Sequence, residues 1–148
     1  MVTSSNQIES KFLFSYQFEM NDCEIYLDHE NQVVKIVWEG RVGVDTATNL
    51  LTYVADLLEG GLVNRVLLDR QNLIHFDQLA KDWIKDEFLA RRYQKLTEKV
   101  YKVAIINECS VAALLYGNKT KGNIQFDFSL LPLQKFDKMT DAESWLIE

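Results

Sequence analysis

The sequence predicts a single-domain α/β fold: a mixed β-sheet that opens with an antiparallel N-terminal hairpin and continues through βα crossovers. Three observations predict it. The run Arg65-Val66-Leu67-Leu68-Asp69-Arg70 is apolar in its middle and ends in charge, the pattern of a strand buried on both faces. Segments with the i, i+3, i+4 apolar spacing of amphipathic helices lie on either side of it. Ahead of the first of these, two short apolar runs are separated by polar residues, which reads as a hairpin.

The chain has 148 residues, 47% of them hydrophobic, with a single proline. That length suits one core, burying about two-thirds of the surface an unfolded chain exposes. With 22 acidic residues against 16 basic ones the formal charge is -6, which opposes the positive footprint that nucleic acid or an anionic membrane surface requires. No apolar run approaches the roughly 18 residues that span a bilayer. Residues 1–10 have neither the basic nor the apolar region of a signal peptide and are expected to be disordered, leaving 11–148 as the domain. Cys23 and Cys109 form no C-x-x-C pair and read as reduced thiols of a cytoplasmic protein.

In chain order, residues 12–19 alternate as an edge or cover strand, with Phe12, Phe14, Tyr16 and Phe18 on one face. Glu24–Leu27 and Val33–Trp38 form the hairpin around Asp28-His29-Glu30-Asn31-Gln32, and His29, at its tip, is given no role. Ala47, Leu50, Leu51, Val54, Leu57 and Leu58 make the first helix, with Asp45 as N-cap and Gly60-Gly61 as its end. After the strand at 65–69, Phe76, Leu79, Ala80, Trp83 and Ile84 open a second helix that runs to about Leu96. Phe88 and Leu89 fall off its stripe, which implies either a break or a locally wider apolar contact. Val100–Ile106 is the next strand and 110–117 the start of a third helix; 118–130 is left open between helix and strand. A last strand, Leu133–Phe136, precedes a capping box, Thr140-Asp141-Ala142-Glu143, and a terminal helix carrying Trp145 and Leu146.

Val37-Trp38-Glu39-Gly40 closing the antiparallel start, the Leu67-Leu68-Asp69 strand, Trp83, the Val103-Ala104-Ile105-Ile106 strand, and Phe136 with Ala142, Trp145 and Leu146 together resemble the SpoIIAA-like proteins of the STAS and CRAL-TRIO-like fold group. The resemblance covers about residues 22–147 and is carried by core and capping positions. It implies a SpoIIAA-like (STAS-like) fold. STAS proteins such as anti-sigma-factor antagonists carry a phosphorylatable serine in the turn after the central strand. Here the matching turn is Asp77-Gln78-Leu79-Ala80, and no serine or threonine occurs from Asp69 to Leu96, so that switch lacks its hydroxyl acceptor. The resemblance therefore implies a non-enzymatic binding or regulatory module acting through contacts with a protein partner, homodimerisation included. The alternative, in the CRAL-TRIO manner, is a carrier of a small apolar, lipid-like ligand.

Ligands of open α/β sheets bind beyond the carboxyl ends of the parallel strands. That rule selects Asp69, Arg70, Asn72, His75 and Asp77 after one strand, and Asn107 and Cys109 after its neighbour, as the ligand- or partner-binding crevice. A catalytic reading makes Cys109 a nucleophile, His75 its base and Asp69 or Asp77 the orienter. The plainer one, which we prefer, has Asp69 and Asn107 capping turns and Cys109 as a small hydrophobe, with no catalytic residues. Asp69, His75 and Asp77 offer one nitrogen donor and lack a transition-metal set, so no metal is expected. The glycines make neither G-x-G-x-x-G nor a P-loop, and no cofactor is implied. Arg91, Arg92, Lys95, Lys99 and Lys102 could dock an acidic partner or phosphate, but Asp86, Glu87 and Glu98 balance them as a solvated helix end.

Overall fold

The computed structural model describes residues 12–20, 22–106 and 132–148. Its strands are β1 (Ser15–Met20), β2 (Cys23–Asp28), β3 (Val33–Val42), β4 (Arg65–Phe76), β5 (Lys102–Ile106) and β6 (Leu133–Phe136). The helices are α1 (Val44–Glu59), α2 (Gln78–Trp83), α3 (Ala90–Lys99) and α4 (Met139–Ile147), with a π turn, Ile84–Leu89, joining α2 to α3. Among the described residues the strands form one sheet in the order β1-β2-β3-β4-β5-β6. β1, β2 and β3 pair antiparallel, and every later pairing is parallel. This is the mixed α/β sheet the sequence predicts, with β1 at its edge.

Strand alternation divides the core in two. Ile25, Leu27, Val34, Ile36, Val66 and Val103 point to the face covered by α1, α2 and α3. Val33, Leu67, Ala104 and Ile106 point to the opposite face, where Ala142 and Leu146 of α4 meet them. Two cations fix α4 there: Lys102 Nζ donates to the Trp145 carbonyl at 2.6 Å and Arg65 Nε to the Leu146 carbonyl at 2.7 Å. Both satisfy carbonyls of the last turn, where positive charge also suits the helix dipole.

Several local expectations are corrected by the backbone. β1 does not keep its aromatics on one face. The pairing passes from Tyr16↔Tyr26 to Phe18↔Ile25, so a bulge at Gln17 reverses the alternation. Phe12 and Phe14 pack on the α4 side, while Phe18 turns to the other face and meets the Tyr53 ring at 4.9 Å. α1 begins at Val44 with Gly43 as N-cap, because β3 runs unbroken to Val42; Asp45 lies in the first turn instead. Its end is as expected. Gly61 N–H donates to the Leu58 carbonyl and Leu62 N–H to that of Leu57, a Schellman closure with Gly61 at φ +81°.

β4 does not stop at Asp69 but continues to Phe76, so Phe76 ends a strand rather than opening a helix. The continuation pairs with β3 through Glu39↔Asn72, Gly40↔Leu73, Arg41↔His75 and Val42↔Phe76, with two register shifts that put additional residues on β4. The Asp69 carboxylate accepts the Gln71 N–H at 3.1 Å across the first shift. In the terminal helix Lys138 is the N-cap and Thr140 already lies inside the first turn, so the capping box is not formed. The expected helix at 110–117, the open segment 118–130, and Asn107 and Cys109 lie outside the described residues.

Candidate functional site

Between the sheet and the α1–α3 layer lies a cavity of about 580 Å³. Its floor is the inward row of the central strands: Ile36 and Trp38 from β3, Val66 and Leu68 from β4, Val103 and Ile105 from β5. α1 supplies Leu51, Val54 and Leu58 as one wall. The opposite wall is Ile84, Phe88, Leu89 and Leu96. The i→i+5 geometry of a π turn sets Leu89 over Ile84 and still leaves Phe88 inward. The pair that falls off the helical stripe is therefore a wider apolar contact made by a change of helix type. At one end the Trp38 and Phe76 rings meet edge to face at 5.0 Å.

Two charged side chains line this space, Arg70 and Lys135, and no acidic residue does so among the described residues. Lys135 of β6 pairs with Ile105 of β5, which pairs with Leu68 of β4, so the three stand in one row across the cavity face. Arg70 lies two residues beyond Leu68 and lines the cavity from β4. Lys135 is exposed as well as lining, and so marks the rim, while Arg70 is half-buried.

The crevice residues read from the sequence are distributed differently. Because β4 runs on to Phe76, Asp69, Arg70, Asn72 and His75 are strand residues, and Asp77 alone of that group follows the strand. Asp69 pairs with Val37 and His75 with Arg41, a separation of about 13 Å along the strand. Asp69 therefore does not orient His75. Asn72 is exposed, His75 is half-buried, and of the described members of the set Arg70 is the residue that reaches the cavity. No group of three His, Cys, Asp or Glu side chains comes together as a metal site among the described residues. Lys135 was not selected from the sequence; its signal is the alternation of the short strand Leu133–Phe136, which puts Leu133 and Lys135 on one face.

A scan against protein-family models and a search of curated proteins both found no match. Several solved structures are similar to this chain. The anti-sigma factor antagonist SpoIIAA in its unphosphorylated form matches with a TM-score of 0.49 and 11% identity, over 87% of this chain and 92% of that one. An uncharacterized protein with a SpoIIAA-like fold from Shewanella loihica PV-4 matches at 0.49 and 15% identity, over 95% and 98%. An anti-sigma factor antagonist from Mycobacterium paratuberculosis matches at 0.44 and 16% identity, over 95% and 100%.

The turn Asp77-Gln78-Leu79-Ala80 does open a helix after the long central strand, with Asp77 as N-cap of α2 and its N–H bound to the Val42 carbonyl at 2.9 Å. It presents a carboxylate and an amide and no hydroxyl. The basic residues are largely engaged within the fold: Arg91 pairs with Glu87 at 3.1 Å, Arg92 bridges Asp56 and Glu59 of α1 at 3.0 and 3.2 Å, and Lys102 holds α4. Cys23 is a core residue. Burial pushes its thiol pKa up, and Glu24, Asp22 and Glu39 push it further. No helix among the described residues is long and apolar enough to cross a membrane.

Proposed function

We propose that this chain is a non-catalytic binding module that holds a small apolar ligand between its sheet and its α1–α3 layer. The observation that carries the proposal is the cavity itself. At about 580 Å³ it falls within the roughly 300–1,000 Å³ typical of small-molecule sites, and its walls are aliphatic and aromatic. A concave, mostly apolar space with a few polar groups at its edge is the usual form of a small-molecule site. The test is native mass spectrometry of protein purified from its own cells, followed by denaturing extraction. One small apolar molecule per chain is expected. A bare-chain mass, together with no saturable change in tryptophan fluorescence on titration with an apolar probe, would refute the reading, because Trp38 lines the space.

A second reading, contact with a protein partner or a second copy of the chain, is favoured by one feature. Leu13, just before edge strand β1, and Tyr16, within it, are 81% and 51% exposed, and an edge strand offers unpaired backbone groups to another chain. Sedimentation at increasing concentration should then show a rising mass that Tyr16→Lys abolishes.

A further inference from the structure

We infer that the ligand is an anionic amphiphile, a long-chain monocarboxylate whose tail lies between Trp38 and the Phe88–Leu89 wall and whose head is held at the rim by Lys135, with Arg70 contributing positive charge from β4. This rests on the cavity reading above and adds the chemistry of the head group. In a chain of net charge -6, a surface drawn at random would include carboxylates. The described cavity lining instead has two cations and no acid. Lys135 lies about 10 Å across the sheet from Leu68, two strand spacings away, and Arg70 is one further step along the same face.

The chemistry excludes the other simple ligands. A cationic head would be repelled by the Lys135 ammonium at this rim, and a neutral hydrocarbon would make no use of it. A carboxylate accepts charge-assisted hydrogen bonds from an ammonium. The apolar walls take the chain, whose affinity should rise about fourfold for each methylene that is buried.

The experiment is a set of titrations of the full chain, stripped of lipid, with palmitate, hexadecanol and a hexadecyl trimethylammonium salt, read by tryptophan fluorescence or calorimetry. Palmitate should bind at least tenfold more tightly than the alcohol, and the cationic analogue most weakly. Lys135→Met, at an exposed position that should leave the fold intact, should weaken palmitate about five- to tenfold and leave hexadecanol unchanged; Lys135→Arg should restore palmitate. Equal binding of all three compounds, or an equal loss for acid and alcohol in Lys135→Met, overturns the head-group inference while the cavity reading stands. Binding of none of them, with circular dichroism showing a folded chain, overturns both.

Discussion

Asp28 offers a test in which charge and packing can be separated. Its side chain is 2% exposed, at the end of β2. The carboxylate accepts hydrogen bonds from the Leu13 N–H at 3.0 Å, the Asn31 N–H at 3.1 Å and Asn31 Nδ2 at 2.8 Å. Burial by itself raises the pKa. The hydrogen bonds from Asn31, through side chain and backbone, and from the backbone of Leu13 and Glu30 outweigh it and hold the carboxyl below its ordinary value. Asp28→Asn keeps the shape, removes the charge and turns an amide donor toward one of these donors. Hydrogen bonds to a charged group contribute about 1.5–3 kcal/mol against about 0.5–1.5 for neutral ones, so a loss of about 2 kcal/mol is expected at neutral pH. The sign of the pH dependence follows from the lowered pKa. The stabilisation is fully present above the unfolded value near ~3.9 and is lost as the pH falls through the folded value below it. Urea unfolding of both proteins at neutral pH and in acid should therefore show the gap between them closing in acid, since other carboxylates titrate in both. A gap that stays constant or widens would show that the ionised form of Asp28 contributes nothing.

Four further outcomes are expected. Gly61→Ala should cost about 1–2 kcal/mol, since its φ of +81° is the left-handed region and nothing crowds the site. The adjacent Gly60→Ala should change stability by only about 0.5 kcal/mol, because φ there is -80° and the entropy gained in the unfolded chain offsets a 3.2 Å contact with the Asp56 carbonyl; denaturant midpoints at unchanged m distinguish the two. Cys23 should stay unlabelled by maleimide in the native protein at mildly alkaline pH and react once urea unfolds it, as read by peptide mapping, because burial pushes its thiol up. Arg92→Ala, which removes the ion pairs to Asp56 and Glu59, should lower stability by about 1 kcal/mol or less, and by less still at high salt.

Where local pattern and tertiary role agree, the fold is legible from the residues. α1 shows its 3.6-residue stripe and its glycine end, β6 occupies the range expected of it, and the β2–β3 hairpin forms where it is expected, although β3 runs past Trp38 to Val42. The misreadings share a physical cause, which is an irregularity that breaks period. The bulge at Gln17 moves Phe18 to the other face although its spacing from Tyr16 is that of a regular strand. In β4 the polar run Asp69-Arg70-Gln71-Asn72 looks like a strand end, because nothing local announces that β3 extends alongside to Val42 and supplies the missing pairing. Cap positions fail similarly at α1 and α4, where the preceding strand and turn decide where the helix begins.

The same irregularities build the cavity, which explains why the site was less legible than the fold. A regular α-helix from Gln78 to Lys99 could not present both Phe88 and Leu89 beside Ile84 as the π turn does. A strand ending at Asp69 would leave Arg70 in a loop, whereas in the longer β4 it continues the inward row of Val66 and Leu68. Arg92 then ties α3 to α1 at the polar side of the helical layer, leaving the apolar sides of both helices to face the space between them. Sequence reasoning could single out Arg70 and flag the Phe88–Leu89 pair as anomalous. Joining them to Lys135 required the sheet order, because β6 reaches the cavity only through its parallel pairing with β5, about 30 residues earlier in the chain.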